Sequence, residues 1–139
     1  MSLAARGSRC APTRSTCCAM HNFRRLLVWQ KAHALTLEVD RLTERIPRRG
    51  NADLISQTRR AAISIPTNIV LGSERPTDRD FARCLQISLA SAAELDYHLQ
   101  LAADTGKIPR AASARSQADL ADISRMLVGL IRRLRAQPK

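Results

Sequence analysis

Six apolar residues, Val28, Ala32, Leu35, Val39, Leu42 and Ile46, recur at alternating intervals of four and three. A strand turns every second side chain to one face, whereas a helix returns to the same face about every 3.6 residues. The spacing therefore draws one apolar stripe along a helix. Three later segments repeat the rhythm: Leu54, Thr58, Ala61, Ile65, Ile69 and Gly72; then Phe81, Leu85, Ser88, Ala92, Leu95, Leu99 and Ala102; then Leu120, Ile123, Leu127, Leu130 and Leu134. A helix with a single apolar face has to cover it, and four such helices joined by short loops do so around one core. The prediction is an all-α fold, an up-down-up-down antiparallel four-helix bundle. Its helices run over about 26–46, 51–73, 78–104 and 112–136, in one domain spanning 23–136.

Local signals punctuate these segments. Pro47 and Gly50 stop the first helix, and Asn51 is placed to cap the second. Pro76 ends the second helix. Thr77 caps the third, with Asp80 three residues on, close to a capping box. Gly106 is the expected cap at the third helix's end. One residue resists the pattern. Pro66 lies inside the second helix, where it removes a hydrogen bond to the carbonyl of Ala62 and is expected to kink the chain, at about 3 kcal/mol in an ordinary helix interior. The freed carbonyl then needs a Ser or Asn side chain, or water.

Residues 1–22 differ from all of this. They hold Arg6, Arg9 and Arg14, no acid, many Ser, Thr and Ala, and no apolar period. Such a segment cannot bury enough apolar area to offset its ordering entropy, so disorder is expected. Three readings stay open: a basic arm on phosphates, a transit-like peptide, or a start of translation at Met20.

The formal charge is +11 and the pI about 11.1, which favours polyanionic partners. No run of about 18 apolar residues is present, so no membrane span is expected. Cys10, Cys17, Cys18 and Cys84 do not form a disulfide framework, and a reduced cytoplasm is the expected compartment. Cys10, Cys17, Cys18 and His21 lack paired zinc-ligand spacing. Glu94 and His98 are four apart, where a di-metal bundle needs Glu-x-x-His on two helices. No nucleophile–His–acid set, Gly-rich phosphate loop or H-E-x-x-H run appears. The expectation is a protein that is not an enzyme and takes no metal or cofactor.

Two constellations remain. Gln57, Arg60, Ser64 and Asn68 line one edge of the second helix, and Ser91, Glu94 and His98 a comparable edge of the third. The predicted arrangement is a partly buried hydrogen-bond network with Arg60 paired to Glu94, which sets register more than stability. Trp29, beside the first stripe, is expected to pack against a helix or subunit rather than stack a base. The second constellation is basic. The third helix is net acidic, and the excess positive charge falls into two groups: Arg41, Arg45, Arg48 and Arg49 around the first helix's end, and Arg125, Arg132, Arg133 and Arg135 on the fourth helix with Arg24 and Arg25. In an antiparallel bundle these form two basic poles. Contacts of this kind hold phosphates without reading bases, so binding to nucleic acid, structured RNA above all, is expected to depend strongly on salt. A protein-interaction scaffold, or an accessory subunit of a nucleic-acid-processing protein such as a polymerase, is the alternative.

The stretches LLVWQKAHALTLEV (26–39), LISQTRRAAISIPTNIVLG (54–72) and FARCLQISLASAAELDYHLQLAADTGKI (81–108) appear in that order. Together they resemble the small four-helix-bundle proteins encoded by intervening sequences within 23S ribosomal RNA genes. More distantly they are similar to the accessory protein of diversity-generating retroelements, which works with a reverse transcriptase and its template RNA. The resemblance covers about residues 23–130. It implies a homopentamer of four-helix bundles with a central channel and basic surfaces, a nucleic-acid role and no established catalysis. Relatives usually read Asn-Ile-Ala-Glu-Gly where this chain has Asn68-Ile69-Val70-Leu71-Gly72. Leu71 thus stands in place of an acid, which makes this surface apolar and a candidate contact with a neighbouring subunit.

Overall fold

Each of the four apolar stripes becomes a helix. The structure is a computed structural model that describes residues 22–136, so the expectations for residues 1–21 lie outside the described part. A 3₁₀ turn at Phe23–Arg25 leads into α1 (Leu27–Glu44), α2 (Ala52–Ser73), α3 (Asp78–Asp104) and α4 (Arg110–Ala136). α1 closes sooner than its stripe suggested, because Arg45 and Ile46 donate to Leu42 and Thr43 in a tightened last turn. α4 opens sooner, directly after Pro109, whose carbonyl accepts from Ser113.

The caps divide. Thr77 accepts the backbone N–H of Asp80 at 3.1 Å, as its position predicted. Gly106 takes φ +72°, and the N–H groups of Gly106 and Lys107 return to the carbonyls of Ala103 and Ala102. Asn51 departs from expectation. It stands at the N-cap position, but its side-chain amide donates to the Pro47 carbonyl at 2.8 Å and accepts nothing from the helix. The competing acceptor lies in the preceding turn, within easy reach of a short amide side chain.

Bonds between helices fix their directions and order. Thr36 reaches Ala62, and Arg59 reaches Thr43, so α1 and α2 run antiparallel. Ser64 meets Ser91 and Ser88 meets Ile65, which does the same for α2 and α3. Ser113 donates to Leu99, and Gln117 to Gln100, closing α4 onto α3. α1 also packs on α4, so the four helices form a ring in sequence order. Val39, Ile65, Ile69, Leu85, Leu95, Leu99, Ile123 and Leu127 fill its centre, all essentially inaccessible to solvent.

α2 and α3 come close together at Gly72. A Cβ on Gly72 would sit 2.5 and 2.9 Å from ring atoms of Phe81 and 3.0 Å from the Cβ of Cys84. Gly72 is therefore required by close approach, not by backbone conformation. α2 continues unbroken through Pro66, which is itself buried. The Ala62 carbonyl it deprives accepts from Thr36 Oγ1 at 3.1 Å, and the same hydroxyl lies 2.8 Å from the Ala32 carbonyl. One turn later Ser88 Oγ donates to the Ile65 carbonyl at 2.8 Å. Hydroxyls from both neighbouring helices thus flank the proline.

Candidate nucleic-acid interface

The antiparallel order brings all but one of the predicted arginines to two ends; Arg125 lies midway along α4. Arg24 and Arg25, in the 3₁₀ turn, share one end with the last turns of α4, which carry Arg132, Arg133 and Arg135. Positive side chains there also complement the negative end of the α4 dipole. The guanidinium of Arg24 lies 4.6 Å from the centre of the Phe23 ring, and Gln30 Nε2 donates to the Arg24 carbonyl at 2.8 Å. The other end carries Arg41, Arg45, Arg48 and Arg49, where the chain turns through Gly50 at φ +81°.

All ten predicted arginines are exposed. Two are engaged: Arg41 pairs with Glu38 at 3.4 Å, and Arg125 pairs with Asp122. Arg24, Arg25, Arg45, Arg48, Arg49, Arg132, Arg133 and Arg135 have no ion-pair partner among the described residues. Asp104, at the end of α3, is held below the usual aspartate range by a hydrogen bond from Gln100 and another from Arg110 at 2.9 Å. It stays ionised, and its charge is committed to Arg110.

A groove of about 410 Å³ opens between α1 and α4. Lys31 and Arg115 line it together with Glu38, Asp119 and Asp122. Its charges are mixed, so it offers a polyanion less than either pole does. Among the described residues no His, Cys, Asp and Glu are grouped to hold a metal ion. The Cys10, Cys17, Cys18 and His21 set lies outside the described residues. No described helix is long and apolar enough to cross a membrane.

Part of the predicted polar network assembles. Ser64 Oγ and Ser91 Oγ lie 2.7 Å apart, and Asn68 Nδ2 donates to the Ser64 carbonyl at 2.8 Å and to its hydroxyl at 3.1 Å. The predicted Arg60–Glu94 pair does not form. Arg60, Gln57 and Glu94 are exposed, and Glu94 lies 3.9 Å from His98 Nε2 on its own helix. Glu94 is three residues beyond Ser91, about 60° further round the helix, and an exposed ion pair gains little against side-chain entropy. The cross-helix arginine of α2 is instead Arg59, which donates to Thr43 Oγ1 at 2.8 Å and lies 3.4 Å from Asp40. Sequence reasoning missed Arg59, Thr36 and Ser88. Arg59 and Thr36 were visible only as polar residues bordering an apolar stripe, and Ser88, placed within the third stripe, only as a hydroxyl whose acceptor the spacing does not name. Trp29 is half-buried against the core, between the rings of Phe23 and His33.

Comparison with known proteins agrees with this architecture. The family model described as 23S rRNA-intervening sequence protein matches residues 24–129. A crystal structure of a protein of unknown function from the S23 ribosomal protein family of Bacteroides thetaiotaomicron superposes with a TM-score of 0.68 at 24% identity. The match covers 76% of this chain and 98% of that one. No curated protein matches the chain. With the family model spanning most of the bundle, the chain belongs to the 23S rRNA-intervening sequence protein family.

Proposed function

We propose that this protein is a non-enzymatic, self-associating cytoplasmic bundle that binds nucleic acid, structured RNA in preference, through arginines at its two poles. The observation that supports this reading most is the set of eight exposed arginines with no acidic partner among the described residues, gathered at the two ends of the bundle. Each is free to release a counterion from a phosphate, which is the main source of sequence-independent affinity. Self-association would multiply each pole into a basic ring. The test is fluorescence anisotropy with a labelled RNA hairpin. Binding is expected at about 50 mM salt and is expected to fall steeply by about 200 mM. Absence of binding at the lower salt contradicts the reading.

A second reading, an interaction scaffold or accessory subunit, is favoured by one surface. Ile63 and Leu71 on α2 are 53% and 48% exposed, and Ile87 and Tyr97 on α3 are 52% and 63% exposed. On α3, Arg83, Ile87, Ala90, Glu94, Tyr97 and Leu101 are all exposed and spaced four and three apart, the period of a helix-packing seam. A second copy of this chain accounts for that face within the first reading. A different protein accounts for it within the second. Sedimentation of the purified protein alone separates them: a lasting monomer favours the scaffold.

A further inference from the structure

We propose that the outer face of His33 is a stacking site for one unpaired base of a single-stranded or looped RNA. This inference rests on the nucleic-acid reading and adds a base-binding element to its phosphate contacts. Residues 22–37 contain Arg24, Arg25, Lys31 and His33 and not one acid, in a chain with only four Phe, Tyr and Trp residues. Two of those four, Phe23 and Trp29, fall in this stretch. The fold stacks them into a ladder. Phe23 meets Trp29 edge to face with centroids 5.0 Å apart. Trp29 then lies nearly parallel to His33, at 7° with centroids 5.1 Å apart.

The ladder has one open end. Phe23 and Trp29 are half-buried, and Trp29 packs on the core. His33 is exposed, and among the described residues its ring makes no hydrogen bond or ion pair. Trp29 is thus enclosed between Phe23 and His33, and the His33 ring it supports belongs to an exposed residue at the end of the ladder. Every base has a π-face, so an exposed ring held at a fixed angle suits unpaired bases of any sequence. Arg24 and Arg25 lie in the 3₁₀ turn that begins the ladder, two rings away from His33, where they can hold phosphates further along the strand.

Trp29 is the only Trp in the chain, so its fluorescence reports on this site directly. The experiment titrates the full chain with an oligoadenylate of about ten nucleotides and, separately, with an abasic phosphodiester of equal length. Three variants are compared: His33→Ala, His33→Lys, which places a cation there without a ring, and His33→Tyr, which keeps a ring. The expected result is quenching by oligoadenylate that exceeds quenching by the abasic chain. His33→Ala weakens oligoadenylate about 5- to 150-fold and leaves the abasic chain unaffected, His33→Lys loses the preference for oligoadenylate over the abasic chain, and His33→Tyr retains it. Equal affinity of wild type and His33→Ala overturns the stacking site and leaves the phosphate contacts standing, as does full retention of that preference by His33→Lys. A wild-type protein that binds neither chain at about 50 mM salt overturns both.

Discussion

The hydroxyl of Thr36 on α1 lies 3.1 Å from the carbonyl of Ala62 on α2, the carbonyl whose helical partner Pro66 removes. A proline in a helix interior is tolerated where a neighbour satisfies the group it orphans. Thr36→Val keeps the shape and removes the donor. It is expected to cost about 1–2 kcal/mol in urea unfolding. With Pro66→Ala, which restores the backbone N–H, the same substitution is expected to cost less, and a double-mutant cycle measures the difference.

Gly72 tests the contact between α2 and α3. Gly72→Ala places a methyl against the Phe81 ring and is expected to lower stability by about 1–3 kcal/mol. Phe81→Leu is itself expected to be destabilising, but in combination it gives the new methyl room. Thermal melts of the two single variants and the double are expected to show a combined loss smaller than the sum.

Asp104 predicts an acid response. Its folded pKa lies below the ordinary value of 3.8, through the hydrogen bonds of Gln100 and Arg110. The stabilisation it contributes is present above 3.8 and is lost as pH falls through the depressed folded value. In a carboxyl NMR titration the Asp104 midpoint is expected below 3.8, and Arg110→Ala is expected to move it upward.

The outer face of α2 and α3 predicts the assembly state. Ile87→Asp places a charge on an exposed position outside the core. It is expected to lower the mass seen by light scattering while the melting of the bundle itself changes little. Unchanged mass counts against this face as the contact between copies.

These cases also show what one sequence carries. The stripes through Ile65, Leu95 and Ile123 announced four helices because burial repeats every turn, whatever the neighbouring helix is. Thr77 and Gly106 were legible because a cap acts within its own few residues. The Asp40–Arg59 contact was not, because it depends on the rotation and height of α1 against α2. One residue of error, Arg60 for Arg59, turns a side chain by about 100°. The Thr36–Ala62 bond was hidden for the same reason, although Pro66 announced that some donor was needed. The two poles were legible as charge, since helix ends and antiparallel order suffice to place them. The stack of His33 on Trp29 was not legible as a fixed pair, because its angle depends on how Trp29 packs on the core.

The most direct test of the account is the salt dependence of RNA binding, measured pole by pole. Arg132, Arg133 and Arg135 are replaced by Gln in one variant, and Arg45, Arg48 and Arg49 in another. Each phosphate contact contributes about 0.7–0.9 to the slope of log affinity against log salt. Each variant is expected to bind the hairpin more weakly with a slope shallower by about 2, and combining them is expected to abolish binding at about 150 mM salt. Slopes and affinities equal to wild type in both variants would contradict the assignment of the poles as the nucleic-acid interface.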